Sequence, residues 1–237
     1  MKRIHLLYLI LFILVCSPWL FGAGFVFDGP TTPASTSTVA YLASTGTSFT
    51  LTTGVTTQTI AYNSGSTGSN RVLMIPIAWF SSGNLASISG ITYNGVAAVH
   101  ATGAPHYNGT TESSDLWYVV APATGSNNYV VTWGTSLTTG KTGTLGSAVF
   151  TGVNQTTPLG TAVTGTTTGV SVTIPSGGGA IDIVGSGLAI SAPSQTQLFI
   201  DNTPYEGGAS QYSITPGTTT FSWTNMQVEL AYPINHQ

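Results

Sequence analysis

The sequence predicts an all-β fold: a two-sheet antiparallel sandwich of jelly-roll type with an extended N-terminal tail. Three observations carry this. Short runs rich in Val, Ile, Thr and aromatic residues follow one another, most with a period of two, and turn residues separate them. No stretch shows a capped helical pattern of useful length. Charged residues make up only 5% of the 237 residues while hydrophobic residues reach 41%, and the polar share is carried by 29 Gly, 40 Thr and 25 Ser. A helical bundle or coiled coil needs charged outer faces, and a disordered chain has few apolar residues and much charge, so both are excluded. Roughly a dozen strands suit a jelly-roll sandwich better than a seven-stranded immunoglobulin module.

Residues 1–24 read as a secretory signal peptide. Lys2 and Arg3 form its positive end, Leu6–Val15 its apolar run, and Gly22-Ala23-Gly24 its small-residue cleavage region. The run is short for a membrane span, so the chain meets the membrane only during secretion. Val15 stands where a lipoprotein signal places a small residue, which argues against acylation of Cys16. Removal of the signal leaves no cysteine, and only Arg71 and Lys141 against seven carboxylates. Residues 25–38 form an extended segment: the apolar Phe25-Val26-Phe27, then a linker rich in Pro, Thr and Ser.

The strand-like runs lie at 47–53, 57–62, 71–80, 87–95, 96–102, 115–122, 128–134, 145–153, 169–175, 180–187, 196–202, 209–214, 219–225 and 227–234. Asn94-Gly95 between two of them is the strongest hairpin signal, since both residues accept the positive φ of a type I′ turn. No internal repeat and no second boundary is visible, so 39–237 reads as a single β-sandwich domain.

The stretches GITYNGVAAVHATG, DLWYVVAPATGSNNYVVTW and GSAVFTGVNQTTPLGTA resemble a pattern of secreted jelly-roll-type β-sandwich modules from environmental bacteria. That group includes protomers of glycosylated extracellular fibrils. The resemblance covers about residues 87–165, with weaker similarity onward. It implies a fold and a surface or extracellular location, and it brings no catalytic motif.

The residues themselves offer little chemistry. Four Lys plus Arg cannot build a basic patch for nucleic acid. Glycoside hydrolysis needs two carboxylates flanking the scissile bond. Of Asp28, Glu112, Asp115, Asp182, Asp201, Glu206 and Glu229, only Glu112 with Asp115 and Asp201 with Glu206 are near in sequence. Neither pair has the spacing of one strand face, so the acids read as solvated loop charges. No Gly-x-Ser-x-Gly elbow stands on a strand-to-helix turn. No catalytic residue or cofactor is therefore expected; a structural Ca²⁺ in 106–115, near His100 and His106, is the one metal reading with candidate ligands.

Two readings of function remain. Trp79, Tyr107, Trp117, Tyr118 and Trp133 could stack on sugars if their faces were exposed, as in a monomeric carbohydrate-binding or adhesin module. Association is the stronger one, because a chain with so little charge lacks the repulsion that keeps proteins apart. Phe25, Val26 and Phe27 on their linker could add a strand to a neighbouring sheet, and such head-to-tail addition builds filaments. Asn108 and Asn154 open two glycosylation sequons in turns. The sequence thus points to a secreted, self-assembling glycoprotein of an extracellular filament or surface layer. Its partners would be copies of itself and covalent glycans.

Overall fold

A computed structural model describes residues 37–51, 56–81, 88–109, 111–134, 141–202 and 207–237. The described residues form strands and no helix. The first ten strands are β1 (Ala40–Leu51), β2 (Thr57–Asn63), β3 (Val72–Ser81), β4 (Ile88–Tyr93), β5 (Val96–Ala97), β6 (Val99–His100), β7 (His106–Asn108), β8 (Glu112–Val120), β9 (Ser126–Trp133) and β10 (Lys141–Thr151). They build one sheet in the order β1-β10-β3-β8-β6, with β7 also on β8, and a second in the order β2-β9-β4-β5. Asn94 and Gly95, at φ 50° and 76°, make the tight turn between β4 and β5.

Seven more strands follow: β11 (Val163–Gly165), β12 (Val170–Ile174), β13 (Gly179–Ser186), β14 (Thr196–Asp201), β15 (Gly207–Ser213), β16 (Gly217–Phe221) and β17 (Val228–Ile234). They form a sheet ordered β11-β17-β13-β15-β14 and a two-stranded ladder, β12-β16. All pairings are antiparallel.

The strands therefore lie in three sheets and a ladder, not in two sheets. The reason is visible in β3, where every residue from Val72 to Trp79 is buried. Leu73, Ile75, Ile77 and Trp79 pack with Tyr62, Ile91, Tyr129 and Val131 of the β2 sheet. Val72, Met74 and Ala78 face the other way, into a core with Ile181, Ile183, Leu230 and Tyr232. A continuous apolar run needs cover on both faces. Strand β13 repeats the pattern, with all eight residues buried. Its outer face packs through Ala180 onto Val170, Val172 and Phe221 of the ladder. Four layers result, and the two central sheets are buried on both sides.

The two sets of strands share one wiring. β1-β10-β3-β8 and β11-β17-β13-β15 have the same order, and β2-β9 corresponds to β12-β16. The isolated bridge Ser191–Thr224 falls where β4 pairs with β9 in the first set. Trp133 ends β9 and Trp223 follows β16, and both are buried. The chain thus repeats its topology where its sequence shows no repeat.

Glycine sets how closely the central sheets approach. A Cβ on Gly146 would stand 1.9 Å from the Phe199 ring, and one on Gly208 2.6 Å from the Thr144 side chain. Tyr41 of β1 stacks on Tyr212 of β15 at 4.7 Å, and Ser44 Oγ donates to Leu198 O at 2.8 Å. These contacts tie one margin of the two central sheets together.

Candidate functional site

The decisive geometry concerns where the few charges go. Glu112, Asp115, Asp182, Glu229 and Arg71 are all buried. Among the charged side chains described, only Asp201 reaches toward solvent, and it is half-buried. This corrects the reading of the acids as solvated loop charges. Glu112 and Asp115 lie within β8, Asp182 within β13 and Glu229 within β17. Burying an ion is costly unless hydrogen bonds replace its water, so each site has its own answer.

Asp115 accepts from Leu116 N at 2.8 Å, Trp117 Nε1 at 3.1 Å and His100 Nε2 at 2.7 Å. The His100 ring lies flat on Trp117, with centroids 4.3 Å apart. Arg71 has no carboxylate in this set. Its guanidinium donates to Ser64 O, to Ser64 Oγ and to Gly65 O, and so pins the loop before β3. Asp182 Oδ1 accepts from Gln211 N at 2.7 Å, while its Oδ2 accepts from Gln211 Nε2 at 2.9 Å and Trp223 Nε1 at 2.8 Å. Glu229 shares the face that packs on the β12–β16 ladder, one diagonal step away across the β13–β17 pairing. Burial, then the negative Asp182 beside it, raises the Glu229 carboxyl far above the usual range, so it holds its proton. Burial also raises Asp182, against the lowering effect of its donors. With 0% exposure, neither carboxyl can reach a substrate.

Among the described residues, what faces water is nearly neutral. On the outer ladder Ser171, Thr173, Thr218 and Thr220 are exposed. Cross-strand register places Ser171 opposite Thr220, with hydroxyls 2.9 Å apart, and Thr173 opposite Thr218. On the opposite outer sheet the exposed residues of β2 and β9 include Thr57, Thr59, Asn63, Ser126 and Asn128.

The aromatic candidates divide. Trp79 and Trp133 meet edge to face at 6.0 Å in the core, each 3% exposed. Trp117 is buried beneath His100. Strand alternation turns these rings inward, and no stacking face remains on them. Tyr118 is half-buried beside a cleft of about 180 Å³ with Thr102, Pro158, Leu159 and Tyr232. Tyr107 is the exposed one, at 38%.

The described acids of the 106–115 segment do not come together. Glu112 and Asp115, three apart in β8, point to opposite faces of the strand. Thr111 Oγ1 donates to Glu112, and His106 is turned toward the Gly165 backbone. Among the described residues no group of three or more His, Cys, Asp or Glu side chains could hold a metal.

Of the sequons, Asn154-Gln155-Thr156 forms a tight Asx turn. Asn154 Oδ1 accepts from the N–H groups of Thr156 and Thr157, each at 2.9 Å, and Thr156 is exposed. Asn108 is half-buried at the end of β7, and Thr110 of its sequon lies outside the described residues. The expected signal peptide 1–24, Phe25, Val26, Phe27 and Glu206 also lie outside them. The sequence reading missed the Asp182–Gln211–Trp223 network and the role of Arg71. A carboxylate inside Ala-Ile-Asp-Ile-Val was the available signal, because its strand neighbours are core residues.

Comparison with protein-family models, with curated proteins and with solved structures finds no match.

Proposed function

We propose that this chain is a structural subunit of an extracellular filament or surface layer. It is secreted by way of residues 1–24, is glycosylated, and assembles with copies of itself by adding its N-terminal strand to a neighbour. The observation that carries this reading is the placement of charge. Glu112, Asp115, Asp182, Glu229 and Arg71 are withdrawn from the surface, Asp201 is half-buried, and the exposed positions of the two outer sheets carry mostly hydroxyl and amide groups. Charge repulsion, the usual safeguard of a monomer in solution, is missing from such a surface. Association or a coat of sugars fits it.

The jelly-roll assignment belongs to the same reading. Take β1, β2, β3, β4, β5, β8, β9 and β10 as strands one to eight. Their sheets then run 1-8-3-6 and 2-7-4-5, the interleaving of two Greek keys wound together. The second set follows in shortened form.

The alternative, a monomeric carbohydrate-binding or adhesin module, draws less support because Trp79, Trp117 and Trp133 are buried. Negative-stain microscopy of the native secreted protein separates the two. Filaments support the proposal, whereas a monomer retained on a glycan column supports the alternative. Deleting residues 24–34 tests the mode of assembly: fibres that persist unchanged remove the N-terminal strand from it.

A further inference from the structure

The chain protects its sheet edges very unequally. β5 and β6 have two residues each, and β7 and β11 three, too short to template an added strand. β14 has six residues, a bulge between Gln197 and Phe199, and Asp201 at its end. β2 has seven residues. β1 has twelve, Ala-Tyr-Leu-Ala-Ser-Thr-Gly-Thr-Ser-Phe-Thr-Leu, with no proline and no charge. It pairs with β10 from Ala40 to Leu51, and among the described residues no strand pairs with its other side. Natural edges of this length are usually blunted by lysine, by proline or by a covering element.

The edge is also held firmly in place. Tyr41 stacks on Tyr212, Ser44 Oγ bonds to Leu198 O, and Thr151 Oγ1 reaches Ala40 O at 3.4 Å. Ala40, Leu42, Ala43 and Thr45 are exposed along it. A long, neutral edge anchored at Ala40, Tyr41 and Ser44 suits an extended segment that brings its own apolar side chains and no charge along the strand.

We propose that the open edge of β1 accepts residues 24–28, Gly-Phe-Val-Phe-Asp, from a second copy of this chain as an added strand. This rests on the filament reading above and names its acceptor. Paired as a strand, the segment would set Phe25 and Phe27 on one face and Val26 on the other. Pro30 and Pro33 stiffen the link between it and β1, which opposes a hairpin return onto its own edge. An extended link of ten residues reaches about 31 Å, enough to meet a neighbour.

The test places lysine on the edge. Ala43→Lys and Thr45→Lys alter exposed positions and leave the core untouched, so their thermal midpoints should match the wild type. Thr57→Lys and Thr59→Lys on the shorter β2 edge serve as matched controls. Secreted wild type and variants are compared by negative-stain microscopy and by sedimentation. The expected result is loss of filaments in both β1 variants and persistence in both β2 variants. Filaments that persist in the β1 variants overturn the acceptor assignment while the filament function stands. A wild-type chain that remains monomeric overturns both.

Discussion

Trp223 donates its indole N–H to the Asp182 carboxylate at 2.8 Å, in a core where Asp182 is fully buried. That bond joins the Gln211 donors around a carboxylate held away from bulk solvent. Replacing Trp223 by Phe keeps most of the apolar volume and removes the donor. A buried acceptor that loses a charged hydrogen bond costs about 1.5–3 kcal/mol. Urea unfolding of Trp223→Phe should report a loss of that size with an unchanged slope.

Glu229 sets the pH dependence. Its folded carboxyl takes up protons more readily than the same group in the unfolded chain, whose ordinary value is about 4.3. The stability it contributes is complete below that value. It declines as pH rises toward the folded value, because only the unfolded chain then gains by ionising, at a slope of up to about 1.4 kcal/mol per pH unit. Asp182 is shifted in the same direction. The thermal midpoint should therefore fall between pH 5 and pH 9, and Glu229→Gln should flatten the decline. A midpoint that rises over this range would contradict the arrangement.

Gly146 lies under Phe199, and any side chain there must move a buried ring. Gly146→Val should destabilise the fold by about 1–3 kcal/mol, the usual cost of overpacking. Adding Phe199→Ala to it should recover part of the loss. Chemical denaturation of both variants and their double measures the coupling.

Arg71 holds the loop of residues 64–70 by its carbonyls rather than by an acid. Arg71→Met removes the guanidinium donors from both carbonyls and leaves Gly65 O with the Gly125 N–H at 3.0 Å. Amide hydrogen exchange in this loop should quicken, while exchange in β13 and β17 stays slow. Uniform quickening across the chain would mean that Arg71 supports the whole core instead.

The β character, the neutral composition and most strands were legible because they depend on local alternation and turn residues. β2, β3, β9 and β12 lie within two residues of their expected bounds. The first half of β1 was not read, because Leu42-Ala-Ser-Thr-Gly46 has no alternating apolar face; its place comes from pairing with β10, a hundred residues away. β7 and β11 were missed for the same reason: three residues carry no period, and each exists by docking onto β8 or β17. The repeated wiring was hidden because topology is kept by which strands pair, and many side-chain patterns satisfy the same pairing. Burial of the acids could be seen only in part. Asp182 and Glu229 sit in apolar runs, whereas Glu112 and Asp115 follow a loop and look solvated until His100 and Trp117 close over Asp115.

The neutral exterior has a consequence for the medium around the molecule. Exposed ion pairs and charge patches weaken or strengthen as dissolved salt screens them over about 8–10 Å. A surface of hydroxyls and amides offers salt almost nothing to screen. Through the described outer faces, salt acts by strengthening apolar burial and hardly at all by screening charge.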